Sequence, residues 1–146
     1  MQGLVLSCDC KRAYFGGYPF MQGSNHLVLC VDDEAVGLLV RKKLLEKAGY
    51  RVLTAPDGPQ GLDLFSQHPV EAVILDYSMP GMHGGEVAAR MRAAKPHVPI
   101  LLLSAYTSLP SDVLERVDCS MTKGEGPPLL LEKLTQMLSR ASNGAA

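Results

Sequence analysis

Short apolar runs alternate with segments of helical periodicity along most of the chain, and this alternation restricts the fold more than any other feature. The apolar runs predict strands at residues 27–31, 51–55, 70–75, 100–104 and 119–122. The segments between them carry apolar residues at helical spacing and end near glycine or proline. Serial β–α units of this kind form a parallel sheet with helices on both faces and right-handed crossovers. We therefore predict a single α/β domain.

The number of units favours one strand order. Five β–α units suit a flavodoxin-like (βα)5 three-layer sandwich, whose parallel five-stranded sheet has the order 2-1-3-4-5. In that order strands 1 and 3 are neighbours, and ligands bind beyond their carboxyl ends. Helices are predicted at 58–68, at 84–94, near 110–117, and around Leu130, Leu131, Leu134, Met137 and Leu138.

The first predicted helix follows the first strand directly. Val36, Leu39, Val40 and Leu44 stand at i, i+3, i+4 and i+8, and this spacing predicts that they form the buried face. Acidic residues open the segment, basic residues populate its second half, and Gly49 ends it, as the helix dipole and C-cap geometry favour.

Composition excludes two classes of protein. The chain has 146 residues, 47% of them hydrophobic and 20% charged, and a formal net charge of −1. It lacks the basic excess of a nucleic-acid binder, and no apolar stretch reaches the ~18 residues of a membrane span. The first residues also lack the charge order of a secretory signal. We therefore expect a cytoplasmic protein that contacts neither nucleic acid nor membrane directly.

The first part of the chain does not follow the β–α alternation. Glycines and aromatic residues occur without periodicity over 1–25, so we expect a flexible N-terminal extension, a domain over 26–142 and a C-terminal tail at 143–146. Cys8 and Cys10 in the extension could form half of a metal site. No second pair at zinc spacing accompanies them, and reduced thiols are the better interpretation.

Polar side chains of complementary chemistry stand where the predicted strands end. Strand 1 ends in Asp32 and Asp33, strand 3 in Asp76, strand 4 in Ser104 and strand 5 in Lys123. Since parallel strands share one carboxyl edge, these groups should converge there. Three carboxylates need a counter-charge, and Mg²⁺ suits them because it binds one or two carboxylates and keeps positions for phosphate oxygens. One carboxylate could then form an aspartyl-phosphate, with the lysine and the hydroxyl binding phosphoryl oxygens.

These residues lie in motifs that resemble the receiver domain of bacterial two-component response regulators, of the CheY-like single-domain type. The matching pieces are L-V-L-C-V-D-D-E, V-I-L-D-Y-S-M-P-G-M, L-L-L-S-A and T-K, and the resemblance covers about residues 26–142. The acidic pair combined with Asp-x-x-Met-Pro-Gly at this separation is a specific signal.

The resemblance implies a phosphoacceptor and a Mg²⁺ site. Asp76 would receive a phosphoryl group from a histidine kinase or phosphotransfer protein. Asp33 and Asp76 would bind Mg²⁺ directly, Asp32 mostly through water, and Ser78 through its backbone carbonyl. The domain would not be a turnover enzyme, because it would catalyse only its own phosphorylation and slow dephosphorylation.

The resemblance also implies how phosphorylation is reported. Ser104 would be the switch hydroxyl, Ala105 the small neighbour that leaves room for the phosphoryl group, and Lys123 the lysine that pairs with it. The surface built by the fourth and fifth β–α units, called here the 4–5 face, would then shift. Since the chain ends soon after the fifth helix, we expect a stand-alone regulator that acts through an unidentified target protein or self-association through this face.

The chain departs from the family pattern in three places. Ser120 stands where an aromatic switch residue is usual, and Tyr106 would either supply the ring from another position or gate the site. Gly124 replaces the proline that usually follows Lys123. Only residues 105–122 separate the switch hydroxyl from the lysine, so the fourth helix should be short.

Simpler interpretations remain for the single residues. Asp33 alone would suit a helix N-cap and Asp76 a turn former before Pro80. Ser104 and Lys123 alone are typical of solvated surface, and all the signals together favour one site.

Two other functions compete with this interpretation. A haloacid-dehalogenase-type phosphotransferase or phosphatase requires Asp-x-Asp after strand 1, whereas the acids here are adjacent, and no Walker loop occurs. A receiver-like scaffold that binds partners without phosphorylation is the main alternative, because the residues at 120 and 124 are unusual.

Overall fold

The structure is a computed structural model that describes Tyr14–Phe15, Tyr18–Pro19 and residues 25–144. Its main sheet is parallel and five-stranded, with strands β1 Leu27–Val31, β2 Arg51–Ala55, β3 Ala72–Asp76, β4 Ile100–Ser104 and β5 Cys119–Thr122. The strand order is β2-β1-β3-β4-β5, which confirms the predicted flavodoxin-like order.

Five helices cover the two faces of this sheet. They are α1 Ala35–Lys47, α2 Gly58–Gln67, α3 Gly84–Ala94, α4 Ser111–Leu114 and α5 Pro127–Gly144, and a 3₁₀ turn at Lys123–Glu125 precedes the last of them. Helices α1 and α5 pack on one face, around Leu45 and Leu134. Helices α2, α3 and α4 pack on the other, around Phe65 and Met91. The three-layer sandwich is therefore as predicted.

The strands send alternate side chains into the two cores. Leu29 and Val31 of β1 enter the core beneath α2 and α3, whereas Val28 and Cys30 enter the core beneath α1 and α5. This is the period of two that a strand imposes, and it explains why a strand covered on both faces is apolar at every position.

Two predicted boundaries differ from the structure. The third strand was predicted at 70–75, but it runs over Ala72–Asp76, so Asp76 still pairs with β4. The fourth helix was predicted near 110–117 and is shorter, at Ser111–Leu114. Beyond Leu114 the N–H groups of Arg116 and Val117 donate to carbonyls three residues back, those of Val113 and Leu114, so the i→i−4 ladder of the helix is not continued.

The predicted buried face of α1 is wrong at three of its four positions, and of the four residues only Leu44 packs against the core. Val36, Leu39 and Val40 are 76%, 53% and 60% exposed, whereas Leu38 and Leu45 are buried. The side of α1 that faces the core contains Leu38, Arg41 and Leu45. Because one of these residues is an arginine, the apolar residues alone indicated a different side of the helix.

The described residues of the N-terminal region form a short pair of strands. Tyr14–Phe15 pairs antiparallel with Tyr18–Pro19, although no regular structure was expected over 1–25. The predicted thiols Cys8 and Cys10 lie outside the described residues, as do the last two residues of the expected tail. Within the part of the chain that the structure describes, no helix is both long and apolar enough to cross a membrane.

Candidate functional site

The carboxyl edge of the sheet brings three acidic residues together. One carboxylate oxygen from each of Asp32, Asp33 and Asp76 can be chosen so that all three lie within 4.8 Å of one another. Lys123 Nζ lies 3.1 Å from Asp76 Oδ1 and 3.7 Å from Asp32 Oδ2. Four of the five predicted strand-end groups therefore form one cluster, because β1 and β3 are neighbours and β5 delivers the lysine.

Asp32 is completely buried and held by the protein on both oxygens. Oδ1 accepts a hydrogen bond of 2.9 Å from the Glu34 N–H. Oδ2 accepts one of 3.1 Å from Arg41 Nη1. These bonds explain how a buried carboxylate is tolerated, since each oxygen has a donor. They also suit the predicted indirect role of Asp32 towards a cation.

Asp33, in contrast, is exposed. The N-cap of α1 is Glu34, whose side chain makes no capping hydrogen bond. The simpler interpretation of Asp33 as a helix N-cap is therefore wrong, and its carboxylate remains at the surface of the acidic cluster.

Asp76 is 2% exposed and only half satisfied. Oδ1 bonds Lys123 and receives a long hydrogen bond of 3.4 Å from the Ser78 N–H. Oδ2 is buried and has no hydrogen-bond partner among the described residues. Burial raises the pKa of Asp76 from 3.8 to about 6; the Asp32 charge adds to the rise and Lys123 opposes it. A buried carboxylate oxygen without a partner is costly unless a cation or a covalent bond completes it.

Lys123 is positioned by the turn that follows β5. Thr122 pairs with Ser104 across the β4–β5 ladder and caps the 3₁₀ turn together with Glu125. Partial burial works to lower the pKa of Lys123, but the hydrogen bond to Asp76 and the Asp32 charge outweigh it and raise that pKa. The amine is therefore a stable cation at the site.

Ser104 is buried at the end of β4, beside the end of β3. Its hydroxyl oxygen accepts a hydrogen bond of 2.8 Å from the Tyr106 N–H. The Tyr106 side chain is 59% exposed and borders a surface cavity of about 290 Å³ that Ser120, Leu114 and other residues also line. Space thus exists where the usual switch aromatic would stand.

The loop after Asp76 is held close to the sheet by a glycine. Gly84 N donates a 2.8 Å hydrogen bond to the Tyr77 carbonyl, and a Cβ at Gly84 would lie 2.5 Å from the Asp76 carbonyl oxygen. His83 is the N-cap of α3, because its Nδ1 accepts from the Gly85 N–H. No sequence signal marked His83 as a cap.

Sequence reasoning also missed Arg41. Only 13% of its side chain is exposed, and its guanidinium reaches the Asp32 carboxylate. Its spacing from Leu38 and Leu45, at i+3 and i−4, could have placed it on the buried stripe. The sequence reasoning treated the basic residues of this helix only as partners of the helix dipole.

The donor set fits a hard divalent cation. Asp33 offers an exposed carboxylate and Asp76 offers an oxygen without a hydrogen-bond partner, and all are oxygen donors of the kind that Mg²⁺ prefers. The carbonyl of Ser78 remains a predicted ligand. Two observations thus support a metal site: Asp76 Oδ2 is buried without a hydrogen-bond partner among the described residues, and three negatively charged carboxylates lie together.

Comparisons with known proteins agree with this geometry. Residues 28–138 match the response regulator receiver domain. A receiver domain protein (CheY-like) from Methanospirillum hungatei has a TM-score of 0.79 and 27% identity, covering 83% of this chain and 99% of that one. The response regulator TrrA of Thermotoga maritima, solved in complex with Mg²⁺-BeF, has a TM-score of 0.73 and 34% identity, covering 77% and 98%.

Among curated proteins, the transcriptional regulatory protein RprY of Bacteroides fragilis is 35% identical over 79% of this chain. The chain spans 48% of the length of that relative. Sporulation initiation phosphotransferase F of Bacillus subtilis is 31% identical over 58% of this chain and 68% of its own. The matched region, the strand order and the acidic cluster lead to one conclusion: the chain belongs to the response regulator receiver domain family of two-component systems.

Proposed function

We propose that Asp76 accepts a phosphoryl group from a phosphohistidine of a histidine kinase or phosphotransfer protein, and that phosphorylation switches the binding of a partner protein. The observation that carries this proposal is the half-satisfied carboxylate, with one oxygen on Lys123 and the other buried without a partner. A carboxylate oxygen attacks phosphorus, the P–N bond of the donor breaks, and its electron pair stays on the imidazole nitrogen, which then takes up a proton.

The neighbouring residues support each part of this transfer. Mg²⁺, held by Asp33 and Asp76 and by the Ser78 carbonyl, would neutralise the charge that develops on the phosphoryl oxygens. Lys123 already lies 3.1 Å from Asp76 and is placed to pair with one such oxygen. Ser104, on the adjacent strand, supplies a hydroxyl donor for another. Since the phosphate remains on the protein, the domain is a switch and not a turnover enzyme.

An exposed apolar surface suited to the phosphate donor lies beside the site. Val36, Leu39 and Val40 form an exposed apolar patch on α1, the helix that begins immediately after the acidic pair. Exposed apolar clusters at a functional edge are typical of protein contacts. We infer that the donor packs on this patch, which would bring its histidine to the carboxyl edge of the sheet.

The target protein binds on the other side of the site. Tyr106 and the cavity next to Ser120 lie on the 4–5 face, where we place the contact with the target protein or with a second copy of the chain. The proposal has two further parts: the protein is cytoplasmic, and it acts as a stand-alone regulator. Mass spectrometry of the endogenous protein tests the second, since a longer native chain would contradict it.

The decisive experiment is phosphorylation with acetyl phosphate and Mg²⁺, followed by intact-mass analysis. We expect one phosphoryl group, stable in acid and labile in base, that is absent without metal and absent in Asp76→Asn. Asp63→Asn changes an exposed acid on α2 and is the matched control, which should be labelled like wild type. If the folded wild-type protein takes no label, the scaffold that works without phosphate becomes the better description.

A further inference from the structure

An arginine occupies the buried stripe of α1 and ends at the acidic cluster. Arg41 Nη1 lies 3.1 Å from Asp32 Oδ2, with 13% of the Arg41 side chain and none of the Asp32 side chain exposed. Gly37, one turn earlier, lies beside this side chain, since a Cβ built there would be in ordinary van der Waals contact with Arg41 Nη2 at 3.6 Å. A larger side chain at position 37 would compete with the arginine for this space.

This contact makes the three carboxylates unequal as cation ligands. Asp32 has one oxygen on the Glu34 N–H and the other on Arg41, with Lys123 at 3.7 Å. Each of its oxygens therefore already accepts from a protein donor, which leaves Asp32 less acceptor capacity for a cation. Asp33 and Asp76 Oδ2 keep acceptor capacity that the described part of the protein does not use.

Arg41 also changes the charge of the site. Three carboxylates with Lys123 alone would carry a formal charge of −2, and Arg41 reduces it to −1. A bound divalent cation then brings the cluster to +1, which disfavours cation binding relative to a site without the arginine. Phosphorylation of Asp76 exchanges one negative charge for about two. The phosphorylated, cation-bound site is then neutral, whereas without Arg41 it would carry one surplus negative charge.

We propose that Arg41 is a positioning residue that holds Asp32 and couples the two ligands of the site: it weakens divalent cation binding before phosphorylation and strengthens binding of the phosphoryl group when the cation is present. The second half rests on the proposed phosphoacceptor role of Asp76. The first half concerns only the acidic cluster and can be measured without any phosphoryl group.

The test compares charge and hydrogen bonding at one position. Arg41→Gln keeps a donor for Asp32 and removes the charge, and Arg41→Lys keeps the charge. Lys43→Gln removes an exposed charge from the same helix and is the matched control. Mn²⁺ titration followed by electron paramagnetic resonance, at pH 8 and low salt, measures cation affinity, and beryllofluoride titration at saturating Mg²⁺ measures affinity for a phosphoryl analogue.

We expect Arg41→Gln to bind Mn²⁺ on the order of fivefold more tightly than wild type, because screened Coulomb repulsion is relieved. It should bind beryllofluoride more weakly, again on the order of fivefold. Arg41→Lys and Lys43→Gln should stay within about twofold of wild type in both titrations. If the Gln variant does not fold, the Lys variant carries the test: a clear gain in its Mn²⁺ affinity contradicts a role through charge.

Two results would overturn the proposal. Equal Mn²⁺ affinity of Arg41→Gln and wild type removes the cation effect, and an equal shift in Lys43→Gln assigns it to the general charge of the protein. Failure of the proposed function looks different, because wild type and every variant would then bind Mn²⁺ but none would take beryllofluoride.

Discussion

Lys123 Nζ sits 3.1 Å from one oxygen of Asp76, and the other oxygen of the same carboxylate is buried without a hydrogen-bond partner in the described structure. The lysine therefore compensates only part of the cost of burying Asp76. The remainder appears as the raised pKa of this carboxyl group, about 6 against an ordinary 3.8. The ionised Asp76 carboxylate thus lowers the stability of the folded protein when no ligand is bound, and the same carboxylate is available to a ligand.

The first prediction concerns pH in metal-free buffer. The pKa of Asp76 is raised in the folded state, so folding favours the protonated carboxyl group. The stability that the protonated group contributes is complete below pH 4 and is lost as the pH rises through about 6. Asp76→Asn should therefore exceed wild type in free energy of unfolding by about 1–3 kcal/mol at pH 7.5 and should match it near pH 4. Urea denaturation with a chelator present, repeated across this range, measures the difference.

The exposed acid Asp63 provides the control for that experiment. Asp63→Asn should differ little from wild type at every pH, since an exposed carboxylate has little to gain or lose on folding. A constant difference between Asp76→Asn and wild type from pH 4 to 7.5 would show that burial does not control the Asp76 carboxyl group.

The second prediction concerns the glycine behind the site. Gly84→Ala should destabilise the protein by about 2–4 kcal/mol, because its Cβ would lie 2.5 Å from the Asp76 carbonyl oxygen and 2.7 Å from Tyr77 Cα. Both atoms are backbone and cannot turn aside. Gly124→Ala is the matched control, since no atom lies within 4 Å of the Cβ built there, and it should be neutral or slightly stabilising. Thermal unfolding of both variants separates the steric effect from a general effect of replacing glycine.

The strand ends show how much of the site the sequence could predict. Asp32, Asp33, Asp76 and Lys123 were placed correctly, because parallel strands share one carboxyl edge and the apolar runs located their ends. Even the two-residue shift in the start of β3 left Asp76 at the edge. Strand order and register thus fix the position of these groups without any knowledge of side-chain contacts.

The helices were less predictable, for a physical reason. The inward face of α1 was misassigned because the pattern of apolar residues treats every arginine as exposed, whereas Arg41 is buried by an ion pair with Asp32. That pair joins residues on two different elements and becomes visible only when β1 and α1 are packed. The cap that His83 provides for α3 was missed similarly, since histidine is not a usual N-cap residue.

The third prediction concerns a hydrogen-bond network at the edge of the sheet opposite the acidic cluster, where β4 and β5 begin. The guanidinium of Arg92 donates to the carbonyls of Arg116, Pro96 and Val98 and to the carboxylate of Asp118. Asp118 in turn accepts from the Ile100 N–H, so the network ties α3 to the start of β4 and β5.

Arg92→Met should therefore cost about 2–4 kcal/mol in free energy of unfolding, because several backbone acceptors lose a charged donor. Arg90 is the control on the same helix: it pairs with Glu86 at the surface, and Arg90→Met should cost less than about 1 kcal/mol. Chemical denaturation of the two variants gives the comparison. Equal losses would mean that the network of Arg92 contributes no more than a surface ion pair.

The last prediction concerns the readout of phosphorylation. The Tyr106 N–H donates to Ser104 Oγ at 2.8 Å, and the Tyr106 ring borders the cavity of about 290 Å³ next to Ser120. If the hydroxyl turns to bind a phosphoryl oxygen, this hydrogen bond is released and the ring can enter the cavity. Ser120→Phe should fill that space, so we expect the beryllofluoride-dependent change in the Tyr106 ring resonances to disappear while beryllofluoride still binds. Leu114→Ala, which enlarges the same cavity, should leave the change intact. An unaltered response in Ser120→Phe would mean that Tyr106 only packs at the rim of the cavity.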